Sequence, residues 1–277
     1  MTGGTEVAGR TTGRGDTGRR WLLGVGLDPL TMDESVAECV KAVEEHRTVR
    51  IGMLNAAKIV RMREDVRLRR AVMSCELVLA DGQAVVWAAR LLREPVQERV
   101  AGIDLMMRLL PEAERRGHRV YFLGATEEVL ARMMAEVRRR HPDLAIAGCR
   151  NGYFDAGDEA DVVAGIRESG ADLLLVGVSS PKKEYFVEKW GAATGASVVH
   201  GVGGSFDVLA GHIQRAPQWW QRNGMEWLFR ALQEPRRLGP RYLATNTAFL
   251  RMVTSELRHR PPSAPLGADI TSAHEAT

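Results

Sequence analysis

Four short motifs combine residue types and spacings that suit chemistry. In Ala80-Asp81-Gly82 a carboxylate stands before a glycine, so a ligand could approach it without steric cover. One such carboxylate suits general-base removal of a hydroxyl proton, although an aspartate here could also cap the next helix. In Glu98-Arg99-Val100-Ala101-Gly102-Ile103-Asp104-Leu105, Arg99 could clamp a phosphate with its two-pronged guanidinium, or be an ordinary loop arginine. Asp104 could cap a helix beginning near Leu105. In Gly177-Val178-Ser179-Ser180-Pro181-Lys182-Lys183-Glu184, Pro181 suits a first helical turn whose free N–H groups can bind an anion. Lys183 adds charge there, and the competing reading is a plain strand-to-helix turn. In Gly201-Val202-Gly203-Gly204-Ser205-Phe206-Asp207, Gly201, Gly203 and Gly204 let backbone come close to a ligand. Asp207 could hold a ribose hydroxyl or cap the next turn. This loop lacks GxGxxG spacing and follows the last strand, so it is a poor dinucleotide fingerprint.

Other chemistries are missing from the 277 residues. There is no GxxxxGK[ST], no GxSxG, no D-x-D, and no HxH or HExxH pair. Cys39, Cys75 and Cys149 lie far apart and form no CxxC, which predicts reduced thiols without a redox or zinc motif. Neither a metal nor a cofactor is expected.

The elements that must position these motifs alternate. Short apolar strands are expected at Leu22–Leu27, Val49–Leu54, Leu77–Ala80, Val120–Leu123, Leu144–Ala147, Asp172–Val176 and Ser197–His200. Helical patterns lie between them, including one continuous amphipathic helix over Ala56–Ala71. Such alternation predicts an α/β fold: a mostly parallel, Rossmann-like sheet with helices on both faces. Ligands of such sheets bind beyond the carboxyl ends of the strands. Asn55, Asp81, Gly124, Gly152, Gly177 and Gly201 each follow a strand, so the unusual polar and glycine residues would share one edge.

Charge divides the chain. The net charge is +3, yet residues 212–260 carry nine arginines, no lysine and three acids. Residues 1–20 add +2 and residues 261–277 add −2, which leaves residues 21–211 mildly acidic at −3. The arrangement predicts a polar tail over 1–20, a catalytic domain over 21–211, a helical arginine-rich appendage over 212–260 and a second tail over 261–277. The appendage contains Trp219, Trp220 and Trp227. Arginine with tryptophan favours an anionic membrane surface or phosphate. No apolar stretch is long enough to span a bilayer, and the N-terminus has no signal-peptide core.

Taken in order, the motifs resemble the WecG/TagA/CpsF family of bacterial glycosyltransferases. The resemblance rests on Asn55-Ala56-Ala57-Lys58-Ile59-Val60, Ala80-Asp81-Gly82, Glu98 to Leu105, and Phe122-Leu123-Gly124-Ala125. It continues through Asn151-Gly152-Tyr153-Phe154, Gly177 to Glu184, Gly201 to Gly211, Arg215-Ala216-Pro217 and Glu226 to Arg237. It implies inverting, metal-independent transfer of a sugar from a UDP-sugar to a polyprenyl-diphosphate-linked saccharide in cell-surface polysaccharide synthesis. The place implied is the cytoplasmic face of the plasma membrane, with a second copy of the chain as a further possible partner. It implies Asp81 as base and Arg99 as a site arginine. The appendage would close over the site, with Arg230, Arg237 and Arg241 matching family arginines. Met53 stands where many members have threonine, and Lys183 where they have glutamine.

In that reading Asp81 activates the acceptor hydroxyl. Arg99, Lys183, the glycine turn and the appendage arginines hold the diphosphate, Tyr153 stacks on uracil and Asp207 holds the ribose. Lys183 could equally pair with a carboxylated sugar. Two other classes fit less. A dinucleotide-dependent oxidoreductase would carry its glycine loop after the first strand. A nucleic-acid-binding protein would explain the arginines but not the polar strand ends.

Overall fold

The computed structural model describes residues 18–258 apart from Asn223 and Glu234. Most of residues 1–20 and all of 261–277, the expected tails, lie outside the described residues. Arg19, within the expected tail, is tied to the body by an ion pair at 2.7 Å with buried Asp28.

Strands β1 (Arg20–Leu22) and β2 (Val25–Leu27) form an antiparallel hairpin where the sequence suggested one strand. Leu23 and Gly24 between them take φ values of 52° and 75°. A two-residue turn with positive φ at both positions matches the twist of a hairpin and reverses the chain. Helix α1 (Met32–Glu44) starts at a capping box between Thr31 and Glu34, and β3 (Val49–Leu54) follows. The expected helix over 56–71 is two, α2 (Ala56–Arg61) and α3 (Val66–Met73). Asp65 restarts the second by accepting the Leu68 N–H at 2.8 Å.

Next come β4 (Leu77–Ala80), α4 (Gln83–Leu91), α5 (Gly102–Arg116), β5 (Val120–Gly124), α6 (Glu127–Arg140), β6 (Ile146–Arg150), α7 (Glu159–Glu168) and β7 (Leu173–Gly177). Helix α8 (Lys182–Trp190) leads through a 3-10 turn to β8 (Val198–Gly201) and the single turn α9 (Ser205–Leu209). The appendage comprises α10 (Gln218–Arg222), α11 (Glu226–Gln233) and α12 (Pro235–Arg258). Helix α12 begins six residues before the expected Arg241 and continues through Pro240.

Strands β3 to β8 form one parallel sheet in the order β4-β3-β8-β7-β5-β6. Alternate residues feed two cores. Leu174 and Val176 pack on one face, Leu173 and Leu175 on the other. Both faces are covered, which explains the uniformly apolar strands. Phe249 and Val253 of α12 belong to the first core, so the last helix is docked on the body, against α2.

Gly124 and Gly177 serve the packing of the sheet edge. A Cβ on Gly177 would lie 2.3 Å from the Phe206 ring, and one on Gly124, at φ 142°, would lie 2.4 Å from Gly177 backbone. Gly177→Ala is therefore expected to destabilise the protein by about 1–3 kcal/mol, read as a lowered denaturation midpoint. A midpoint equal to wild type would contradict this packing.

Candidate active site

The strand ends and the appendage enclose a cleft of about 660 Å³. Asn55, Asp81, Gly82, Arg99, Lys183, Gly201 and Gly204 line it, as do Ser180 and, from the appendage, Gly224 and Glu226. Asp104, Gly124, Tyr153, Gly177, Pro181, Gly203 and Asp207 are not among its lining residues.

Asp81 follows β4 directly, and its N–H and that of Gly82 both donate to Leu54 O. This couples the ends of β3 and β4. Gly82 has no room for a side chain, since a Cβ would meet Asn55 Cβ at 2.9 Å. Asn55 caps α2, its Oδ1 accepting the Lys58 N–H at 2.9 Å, so its amide nitrogen is the group left to meet a ligand.

Asp81 Oδ1 accepts the N–H of Gly102, the first residue of α5, at 2.9 Å. This bond fixes the carboxylate against the start of α5. Gly102 O in turn accepts from His200 Nε2 at 2.9 Å. His200 is fully buried, and burial pushes its pKa down to about 4, so a neutral ring bearing Nε2–H holds Gly102 in place. A single buried histidine in a sequence gave no sign of this; its partner is 98 residues away. Its role is to position the group that fixes Asp81.

Beside Asp81 lies a buried cluster. Lys58 Nζ donates to Met53 O at 2.7 Å and to Glu184 Oε1 at 2.8 Å. Burial pushes the Glu184 carboxyl up, but Lys58 and Lys183 outweigh it and hold it below the ordinary range. Lys183 Nζ donates to Gly201 O at 2.8 Å and sits 3.9 Å from Glu184. Burial and the Lys58 charge push the Lys183 ammonium down to about 8, against the pull of Glu184 and Asp81.

The glycine turn has fewer free donors than its sequence suggests. The N–H groups of Val202 and Gly203 both donate to Val176 O, at 2.9 and 3.2 Å. Gly203, at φ 56°, lies between Lys183 and Val178: a Cβ there would be 3.3 Å from Lys183 Nζ and 3.8 Å from Val178 O. Pro181 precedes α8 after a cis peptide bond. Tyr153 is exposed, on the loop where Gly152 packs against Gly124 and Val178. Asp207 lies in the first turn of α9, its Oδ2 on the Gly204 side.

Arg99 joins body to appendage. It faces Glu226 at 3.4 Å and Asp104 at 3.8 Å, while Arg215 pairs with Asp104 at 2.7 Å and Glu226 at 3.7 Å. Asp104 thus belongs to an ion network in the first turn of α5. It does not cap the helix, whose N-cap is Ala101. Arg215 and Glu226 each begin a motif of the resemblance but drew no site role from the sequence, since nothing local marks them as partners of Arg99. Trp219 and Phe229 both pack on Trp220, with ring centroids 5.7 and 5.8 Å apart, which gives two of the three tryptophans a role within the appendage. The side chains of Arg230, Arg237 and Arg241 lie outside the described residues, although α11 and α12 carry their backbone. No helix among the described residues is long and apolar enough to cross a membrane.

Comparison with known proteins places the chain in a family. Residues 20–262 match the family model described as glycosyl transferase WecG/TagA/CpsF family. The chain is 35% identical over 201 residues to an N-acetylglucosaminyldiphosphoundecaprenol N-acetyl-beta-D-mannosaminyltransferase from Bacillus spizizenii, covering 73% of this chain and 76% of the relative. A strand-end carboxylate among cations in a cleft of a parallel sheet, and a match spanning body and appendage, lead to one conclusion: the chain belongs to the WecG/TagA/CpsF family and is a glycosyltransferase.

Proposed function

We propose that the protein transfers a sugar, with inversion, from a UDP-sugar to a polyprenyl-diphosphate-linked saccharide. The relative's name, which specifies N-acetylmannosamine delivered to an N-acetylglucosaminyl diphosphate lipid, supports an amino sugar donor and a lipid-linked acceptor here. The observation that carries the reading is Asp81, held by Gly102 in the same cleft as Arg99 and Lys183.

Asp81 takes the proton of the acceptor hydroxyl as its oxygen attacks the anomeric carbon. The bond from that carbon to the diphosphate breaks on the opposite face, and UDP departs with the electron pair. Such an oxocarbenium-like displacement needs a base on one side and positive charge on the other. Arg99 and Lys183 supply the charge within the cleft, and Arg230 and Arg237 add to it from the appendage. The nucleoside lies past Gly203 along the strand ends, with Asp207 on the ribose and exposed Tyr153 on uracil. Pro181, Gly124 and Gly177 shape that shelf. The protein works at an anionic membrane face, which the arginine-rich appendage meets.

Lys183 gives the donor site a pH dependence. Its ammonium must be protonated to hold an anionic oxygen, and its pKa is pushed down to about 8. UDP affinity should therefore fall as pH rises from 7 to 9. Lys183→Gln should bind UDP about tenfold more weakly at pH 7, the scale of one charge-assisted hydrogen bond, and lose that dependence. Unchanged affinity in the variant would remove Lys183 from the donor site.

Calorimetric titration with UDP tests the reading as a whole. Among the described residues no three His, Cys, Asp or Glu side chains gather as a metal site, so UDP binding and turnover should persist in EDTA. Failure to bind UDP, or activity lost to EDTA and restored by Mg²⁺ or Mn²⁺, would contradict it.

A further inference from the structure

The cleft has an apolar half that the donor chemistry leaves unused. Helix α4 begins beside Asp81 with Gln83, and Trp87 and Leu91 follow on the same face at intervals of four. From Gln83 to Leu91 this face runs about 12 Å away from the carboxylate. Phe249, Leu250 and Val253 of α12 line the same cleft. Phe249 and Val253 are anchored in the core, yet Trp87, Leu91 and Leu250 are 51%, 58% and 63% exposed. Large apolar side chains left open along a concave wall mark a surface made for an apolar ligand.

We propose that this half of the cleft, between α4 and α12, seats the first isoprene units of the acceptor's prenyl chain. The inference rests on the proposed acceptor and extends it to a binding site for the lipid itself. A diphosphate-linked sugar that presents its hydroxyl to Asp81 carries its phosphates and then its hydrocarbon away from the donor, and the apolar wall opens from the Asp81 end of the same cleft. The two walls belong to the body and the appendage, so a seated chain is gripped by both. Each methylene taken out of water strengthens binding about fourfold, so even one or two isoprene units produce a large effect. Only the first units can be held, because α4 ends at Leu91.

The test uses the full chain without vesicles and acceptors that differ only in their lipid: a methyl, a geranyl and a farnesyl diphospho-sugar, each below its micelle concentration. For the wild type, kcat/KM should rise at least about tenfold from methyl to geranyl and level off by farnesyl. In the double variant Trp87→Gln, Leu91→Gln, both positions being exposed, the geranyl-to-methyl ratio should collapse towards one. UDP affinity, measured in parallel, reports whether the variant's donor site is still formed, and Leu250→Gln provides a second probe from the opposite wall. A wild-type rate indifferent to the lipid, or a ratio that survives all three substitutions, overturns the proposal. So does a chain-length gain that appears only on vesicles and tracks vesicle binding, for then the wall is a membrane contact. Absence of transfer to every acceptor would instead refute the proposed function, which separates the two failures.

Discussion

Deletion of residues from Arg215 onward should abolish turnover, to below about one thousandth of wild type, while the α/β body still folds. The six-stranded sheet is complete by Gly201, and the strands pair only with one another. The body therefore keeps its main framework, although the α2 face that covers Phe249 and Val253 becomes exposed and the denaturation midpoint should drop. Catalysis loses far more. Arg99 loses Glu226, Asp104 loses Arg215, the cleft loses the wall formed by Thr245 to Val253, and every appendage arginine goes. The deletion should also cut binding to anionic vesicles, which in the intact protein should weaken with added salt. Arg237→Ala should lower turnover more than vesicle binding, because it removes one charge among nine. A truncated body with wild-type transfer, or an intact protein that ignores anionic vesicles at low salt, would refute these roles.

Asp81→Asn should lower turnover by about 10²-fold or more, with UDP affinity nearly intact. An asparagine Oδ1 can still accept the Gly102 N–H, so the start of α5 and the strand-end geometry should survive. What goes is the negative charge proposed to receive the acceptor proton. The split between binding and turnover is the signature, since a merely structural aspartate would move both. His200→Phe, which removes the bond to Gly102 O but keeps the volume, should lower turnover by a smaller factor, because it loosens Asp81 without removing it. Turnover of Asp81→Asn within a few-fold of wild type would exclude Asp81 as base.

The strand ends were legible in the sequence because apolar runs and the residues after them are local signals. Asp81 is marked that way and Lys183 by the turn after β7, whereas Arg99 stands out only through the family resemblance; all three line one cleft. What stayed hidden is what distant chain segments contribute. The Arg99–Glu226 contact spans 127 positions, and neither residue carries a local mark of the other. The glycine turn looked like a phosphate cradle, but its amides at Val202 and Gly203 are taken by Val176, a register detail of β7 against β8. Gly124 and Gly177 looked like ligand glycines, and the reason for them is the Phe206 ring and the close approach of backbone. The break between α2 and α3 was invisible because the apolar pattern runs on across it. Only the side chain of Asp65, capping the second helix, decides it.

The proposed reaction moves a sugar from UDP to a lipid-linked acceptor through Asp81. A panel of UDP-sugars incubated with N-acetylglucosaminyl diphosphate carried on a prenyl chain, with UDP release and glycolipid product followed together, tests it most directly. One donor should be preferred, UDP release should require the acceptor, product should equal the UDP released and carry the inverted linkage, and both signals should be lost in Asp81→Asn. Release of UDP that does not depend on the acceptor, or product formed equally well without the Asp81 carboxylate, would contradict it.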